Sequence, residues 1–287
     1  MPFTKSVDGI RVHYHLAGRV DGEPVLMLMG LGADSRGWVM QQRALGSRYR
    51  LVLVDNRGAG RSDRPPGAYD LVTMADDAIA CLRAAGFESA HVLGASMGGI
   101  LAQVIAAHHP ERVRSLVLAC TACRHHQWRR ELLEEWIDTA RSDGMRKFAR
   151  ANMEWLIGGR SLRRVALGMQ LFGPLAFNLS GPAFISQVEA ILAMDETFAS
   201  SLSDVVAPTL VTVGSQDRLT PIGDSEELAS RIAGAELEVV RGGAHLFMVE
   251  HAVTFNRLVL DFLDRSVPTS TTPSPAPFAL RSAPASA

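Results

Sequence analysis

Short apolar runs rich in β-branched residues alternate along the chain with longer stretches of helical character. The runs are Pro24 to Met29, Arg50 to Asp55, His91 to Leu93, Val113 to Leu118, Pro208 to Val213 and Ala235 to Val240. The helical stretches are Arg36 to Leu45, Leu71 to Ala85, Met97 to His109 and Asp224 to Ile232, with a last one from about Val249 to Asp264. Strands joined by helical crossovers are the pattern of a mainly parallel sheet. Lys5 to Val7 and Arg11 to Leu16 flank Asp8-Gly9, a good hairpin turn pair, so an antiparallel start is expected and the sheet should have eight strands.

The alternation breaks between about Thr121 and Leu202, where several helical segments follow one another with no convincing strand. In the first of them Trp128, Leu132, Trp136 and Ala140 recur every four residues beside Leu133 and Ile137, opposite Arg129, Arg130, Glu134, Glu135 and Asp138. Met145 to Gly158 and Ser161 to Leu171 continue the helical pattern, punctuated at Gly158-Gly159, Gly173-Pro174 and Gly181-Pro182. The expected organisation is an α/β core at 1–120 and 203–266 with an inserted helical cap, or lid, at 121–202. Residues 267–287 carry Pro268, Pro273, Pro275, Pro277 and Pro284 among Ser, Thr and Ala without apolar periodicity, and are expected to form a flexible tail.

Composition narrows the function classes. With 47% hydrophobic and 21% charged residues over 287 positions, the chain has globular composition. Its 29 Lys and Arg against 30 Asp and Glu leave no basic excess to neutralise phosphates, which argues against nucleic acid as partner. Three cysteines imply no disulfide framework and suggest a reducing compartment. The N-terminus lacks the apolar core of an export signal, and no stretch reaches the length of a membrane span, so a cytoplasmic protein without membrane insertion is expected.

The strongest chemical signal is Gly94-Ala95-Ser96-Met97-Gly98-Gly99, a G-x-S-x-G pattern between a predicted strand and a predicted helix. Small residues permit a sharp turn that lifts the Ser96 hydroxyl above the sheet edge, beside free amides at a helix N-terminus. A serine hydroxyl needs a base. His245, in Gly242-Gly243-Ala244-His245 after the last strand, can reach the same edge, whereas His251 lies within the next helix and His108 and His109 close the Ser96 helix at its far end. The carboxylate that would orient the imidazole is Asp217, in the loop Gly214-Ser215-Gln216-Asp217-Arg218 after a strand. Asp224, Glu226 and Glu227 read instead as first-turn helix acids, and the loop Ala119-Cys120-Thr121 after the preceding strand offers no carboxylate. Candidate oxyanion donors are the amides of Met97 and of Leu31, the latter in Met29-Gly30-Leu31-Gly32.

In this order, Ser96, Asp217 and His245 with their surrounding elements resemble the α/β-hydrolase superfamily over about residues 5 to 265. Asp55-Asn56-Arg57-Gly58-Ala59-Gly60-Arg61-Ser62-Asp63 resembles the D-x-R-G-x-G-x-S segment of that fold. Together with Trp38, Pro65-Pro66-Gly67 and His109-Pro110-Glu111-Arg112-Val113, it is similar to 3-oxoadipate enol-lactonases and related esterases. The resemblance implies a doubly flanked, mostly parallel sheet, a helical cap and a Ser-His-Asp triad. Many members carry His-Gly where this chain has Met29-Gly30; the departure keeps the oxyanion amide but removes a side chain that can order the loop. Ser96 stands where the epoxide hydrolase and dehalogenase branches have an aspartate, which disfavours those activities.

Cys120-Thr121-Ala122-Cys123 with Arg124-His125-His126 has no second ligand pair, so a buried cysteine with a chance neighbour is expected; no metal and no cofactor follow from the sequence. Arg160, Arg163 and Arg164 read as an exposed helix face. The sequence thus points to a serine hydrolase of a small-molecule ester or lactone, with Gly30, Trp128, Trp136 and Leu246 as candidate substrate contacts. Thioester or carbon–carbon bond hydrolysis and acyl transfer could use the same residues, and a non-catalytic receptor on the same fold is the rival from another class. Trp128, Trp136, Trp155, Met153, Phe172 and Phe177 in the insertion, with ten basic against nine acidic residues there, favour a medium-sized apolar substrate over a small dicarboxylate.

Overall fold

A computed structural model describes residues 2–159 and 180–266. The eight strands are β1 (Phe3–Lys5), β2 (Arg11–Gly18), β3 (Pro24–Leu28), β4 (Arg50–Val54), β5 (Ala90–Ala95), β6 (Val113–Ala119), β7 (Thr209–Gly214) and β8 (Glu236–Val240). They form one sheet in the order β1-β2-β4-β3-β5-β6-β7-β8. β1 and β2 are antiparallel, β2 is antiparallel to β4, and every other pairing is parallel. The sheet is therefore mostly parallel, as expected.

The two-residue period of each strand divides its side chains between two cores. Leu26, Leu28, Val52, Val54, Leu116 and Leu118 face the side covered by helices α2 (Leu71–Ala84), α3 (Met97–His108) and α9 (Ile222–Arg231). Val25, Met27, Leu51, Leu53 and Val117 face the opposite side, covered by α1 (Val39–Gly46) and α11 (Ala252–Ser266) through Leu45, Phe255, Val259 and Phe262. Helix α2 starts where the Asp70 carboxylate accepts hydrogen bonds from Thr73 N (2.8 Å) and Thr73 Oγ1 (2.9 Å), an N-cap. In α3 every residue from Met97 to Ala106 is buried, and Gln103 is the one polar side chain among them.

Between β6 and β7 the described residues hold only helices: α4 (Gln127–Ser142), α5 (Gly144–Ala151), α6 (Met153–Leu156), α7 (Gly181–Leu192), α8 (Glu196–Ser201) and a turn of 3-10 helix at Leu202–Asp204. Trp136 of α4 meets Phe148 of α5 edge to face, and Phe148 meets Phe184 of α7 at a tilt, with ring centroids 5.5 and 4.7 Å apart, which ties these helices together. The predicted helix Ser161 to Leu171, the Gly173-Pro174 break, the Arg160, Arg163 and Arg164 group, Phe172, Phe177 and the tail at 267–287 lie outside the described residues. Among the described residues no helix is long and apolar enough to cross a membrane.

Several expected elements differ. The opening hairpin turns through a five-residue loop, not at Asp8-Gly9 alone: Lys5 pairs with Arg11, and Ser6 closes the loop by Ser6 N→Ile10 O (3.0 Å) and Gly9 N→Ser6 O (3.1 Å). The stretch Arg36 to Leu45 begins as 3-10 helix at Ser35–Trp38, because the Asp34 carboxylate accepts Arg36 N. The final helix is broken at His251 into α10 (Phe247–Glu250) and α11. Arg129, expected on the polar face of α4, is 2% exposed and ion-paired to Asp224 at the start of α9. Asp224 is a first-turn acid, as expected, but its carboxylate is buried against that arginine.

Candidate active site

β5 delivers Ser96 to the C-terminal edge of the sheet. The backbone at Ser96 has φ 54 and ψ −122, a conformation that costs about 1–3 kcal/mol for a non-glycine residue and holds only where the surroundings impose it. The glycines on either side explain how. A Cβ on Gly94 would fall 2.1 Å from Gly98 O, and one on Gly98 would fall 2.1 Å from Leu28 O, so strand, turn and helix pack backbone against backbone. Ser96 N donates to Ala119 O (2.9 Å), and Thr121 Oγ1 donates to Ser96 O (2.9 Å), anchoring the turn to the end of β6.

The same ladder continues sideways. Cys120 N donates to Thr212 O (2.9 Å), Ser215 N to Val240 O (2.9 Å) and Gln216 N to Gly243 O (2.8 Å), so the loops after β5, β6, β7 and β8 are stitched along one edge. Asp217 and His245 sit on the last two of these loops. His245 Nδ1 lies 2.8 Å from Asp217 Oδ2, with Asp217 6% and His245 3% exposed. The remaining acceptor sites of Asp217 are filled by Leu219 N (2.9 Å), Thr220 N (2.9 Å) and Thr220 Oγ1 (2.7 Å). A carboxylate fixed by three donors is an acceptor for Nδ1–H, which leaves Nε2 as the basic nitrogen of the ring. Neither Nε2 nor Ser96 Oγ forms a hydrogen bond to a described residue.

Gly30 places the loop after β3 against this serine: a Cβ there would come 3.0 Å from Ser96 Cβ and 3.5 Å from Oγ. Leu31 N and Met97 N donate to no protein acceptor among the described residues; Met97 opens α3, where the first amides have no intrahelical partner. Asn56 Nδ2 donates to Met29 O (2.9 Å), so the residue after Asp55 orders the loop that Met29 itself does not. The rest of that motif builds its support. Asp55 accepts Ser35 N (2.9 Å), Arg61 N (3.0 Å) and His13 Nδ1 (2.9 Å), and burial pushes its carboxyl up less than these partners hold it down. Arg57 forks onto Asp77 with Nε and Nη2 at 2.7 and 3.0 Å.

The other expected contacts are spread out. Leu246, half-buried beside His245, donates its amide to Leu156 O (2.8 Å) of α6. Trp136 is buried in the aromatic cluster, while Trp128 is 38% exposed beneath the Arg129 guanidinium, whose carbon lies 4.8 Å from the ring centroid. Cys81, Cys120 and Cys123 are buried free thiols. Burial pushes the Cys120 thiol well up and the Cys123 thiol to about 11, away from thiolate chemistry. Thr220, Thr121 and Asn56 were not singled out from sequence. Each stands within three residues of a motif residue and is polar where the loop needs a donor, which is the signal available for them.

Residues 23–153 match the protein family described as alpha/beta hydrolase fold. The chain is 31% identical over 270 residues to a protein of Caulobacter segnis named "Putative carbamate hydrolase RutD", covering 91% of this chain and 98% of that one. It is 27% identical over 257 residues to 3-oxoadipate enol-lactonase 2 of Acinetobacter baylyi, covering 89% of this chain and 94% of the relative. The crystal structure of the enol-lactonase from Burkholderia xenovorans superposes with a TM-score of 0.85 at 26% identity, over 92% of this chain and all of that one. With its eight-stranded sheet, its serine on the β5–α3 turn and these relatives spanning nearly its whole length, the chain belongs to the α/β-hydrolase family of enzymes.

Proposed function

We propose that the protein is a serine hydrolase that cleaves a carboxylic ester or lactone through an acyl-enzyme. The observation that carries this reading is the buried His245–Asp217 pair at 2.8 Å, on the sheet edge where the strained Ser96 turn also lies. A binding module needs no base held behind a serine. His245 Nε2 accepts the proton of Ser96 Oγ as the oxygen attacks the carbonyl carbon, and Asp217 stabilises the resulting imidazolium. The amides of Leu31 and Met97 receive the negative oxygen, a contribution of about 10²- to 10³-fold per donor. The imidazolium then returns its proton to the leaving oxygen. Water, deprotonated by the same nitrogen, releases the acid and restores Ser96.

Residues 121–202 act in this reading as the cap over a core at 1–120 and 203–266. Supporting it, the inserted helices are fastened to both loops that carry the base and its acid. Arg129 Nε donates to Leu219 O (2.8 Å), Leu246 N donates to Leu156 O, and the Glu250 carboxylate accepts both Gly158 N (3.0 Å) and Ala244 N (2.8 Å). Gly30 and Leu246 flank the reacting carbonyl, and Trp128 and Trp136 belong to the wall on the cap side. The preferred substrate is medium-sized and largely apolar. The relative named a carbamate hydrolase adds a second acyl class, since a carbamate carbonyl passes through the same tetrahedral oxyanion.

A fluorophosphonate probe tests the reading. Label on the peptide carrying Ser96, and loss of both label and turnover in Ser96→Ala on a panel of esters, lactones and carbamates, are expected. Hydrolysis by Ser96→Ala at the rate of the parent would overturn it.

A further inference from the structure

The loop that presents Leu31 is held from two directions, and one of them is the inserted segment. Gln187 lies in the middle of α7 and is 1% exposed. Its Oε1 accepts the amide of Gly32 (2.8 Å), 155 residues earlier in the chain, and its Nε2 donates to Arg57 O (2.8 Å). One side-chain amide thus joins the insertion to the loop after β3 and to the segment after β4, with both of its polar ends satisfied in a buried site.

The consequence for Leu31 follows from peptide geometry. Ala33 N donates to Gly30 O (3.1 Å), closing a turn in which Gly32 has φ 68, the value a type II turn requires at its third residue. In a trans peptide the C=O and the next N–H point in opposite directions, so committing Gly30 O to Ala33 directs the Leu31 N–H to the other side. The neighbouring groups are fixed as well: Met29 O by Asn56 Nδ2 (2.9 Å) on the sheet side, and Gly32 N by Gln187 on the side of the insertion. Rotation of the Leu31–Gly32 peptide would convert the turn to type I and change ψ at Leu31. The Leu31 N–H belongs to the preceding peptide, so Gln187 acts on it through the turn whose Gly30 O–Ala33 N bond sets its direction: it accepts from the Leu31–Gly32 peptide and blocks the rotation. The Met29 side chain cannot do so; it packs instead against Gly37, where a Cβ would meet its Cε at 2.5 Å.

We propose that Gln187 is a positioning residue for the oxyanion loop, so that the Leu31 donor is held in its working orientation only while α7 is seated on the core. The proposal rests on the reading of Ser96 as nucleophile and Leu31 as oxyanion donor. It makes the insertion part of the catalytic preorganisation as well as a wall of the pocket.

The test compares Gln187→Met, which keeps the volume and removes both hydrogen bonds, with Gln187→Glu, which keeps an acceptor for Gly32. Three quantities are measured: kcat and KM on a p-nitrophenyl ester, the rate of fluorophosphonate labelling, and inhibition by a trifluoromethyl ketone, which forms a tetrahedral adduct. For Gln187→Met, kcat, labelling rate and ketone affinity should each fall about 10- to 100-fold, with KM changed less than about threefold. Gln187→Glu should recover most of kcat. If Gln187→Met does not fold, Gln187→Ser, which removes the fixed acceptor and leaves space for water, carries the same expectation. A folded variant that lowers the melting temperature while kcat, labelling and ketone affinity stay within twofold overturns the proposal and leaves a structural staple. Failure of the parent protein to label at Ser96 would instead sink the underlying reading, so the two failures are distinguishable.

Discussion

Arg129 and Asp224, 95 residues apart in sequence, form a buried ion pair directly behind the loop that holds Asp217. The pair joins α4 to α9, and the same guanidinium donates to Leu219 O (2.8 Å), whose residue in turn donates its amide to Asp217 Oδ1 (2.9 Å). Burial pushes the Asp224 carboxyl up and the Arg129 guanidinium down, and their mutual attraction opposes both shifts. Removing one partner strands a buried charge. Arg129→Met is therefore expected to cost about 3–5 kcal/mol of stability in denaturant unfolding, and the double variant Arg129→Met/Asp224→Leu clearly less than the sum of the single ones. Additive losses would show that the two charges do not compensate each other.

The turn at Ser96 predicts a sharp penalty at Gly98. A methyl there would sit 2.1 Å from Leu28 O, and the obstacle is backbone of the central sheet that no side-chain rotation relieves. Gly98→Ala should cost at least about 1–3 kcal/mol by overpacking. It should also slow fluorophosphonate labelling of Ser96, because the displaced helix start carries the Met97 amide with it. The denaturation midpoint and the labelling rate, taken on the same sample, check this.

Asp217, His245 and Ser96 are expected to behave as one unit. Ser96→Ala should fold normally and lose nearly all turnover, and Asp217→Asn and His245→Ala should be similarly impaired. Double variants should be little worse than the worst single one, since each change disables the same step. Losses that multiply would mean that the three side chains act independently. Asp217→Asn adds a local signature, since an amide presents two acceptor directions fewer to Leu219 N, Thr220 N, Thr220 Oγ1 and His245 Nδ1.

What the sequence disclosed of this site divides along a physical line. Ser96, Asp217 and His245 were legible because each follows a strand and stands among small or turn-forming residues, so chain-local pattern places them at one sheet edge. The close packing of Gly94 and Gly98 was implied by the same pattern. Arg129, Gln187 and Glu250 were not legible. Their roles depend on backbone groups distant in sequence, and a basic residue on a helix face next to Arg130 reads as solvated until the partner Asp224 is known. The hairpin loop at Ser6 to Ile10 is wider than its sequence suggests for a related reason: Asp8-Gly9 is a good turn pair locally, but Ser6 supplies both ends of a wider closure.

His125, beside Arg129 at the entrance to the inserted segment, predicts a pH dependence of stability. Burial lowers its pKa to about 3, reinforced by the charges of Arg129 and Arg130, and its Nε2 is buried without a partner among the described residues. An unfolded histidine titrates near 6.5. Above that pH the ring is neutral in both states and contributes no pH dependence. Below it the unfolded chain takes up a proton that the folded one refuses, so stability falls as pH drops from about 6.5 towards 3, by at most about 1.4 kcal/mol per unit. Between pH 7 and 5 the loss from this group reaches about 2 kcal/mol, before ordinary carboxylates begin to titrate. Burial also lowers the pKa of His15 and His91, which add a background of the same sign. The contribution of His125 is therefore read as a difference: denaturant unfolding at pH 7 and 5 should give a steeper decline for the parent than for His125→Phe. Equal slopes in the two proteins would show that the ring is solvated and protonates in the folded state.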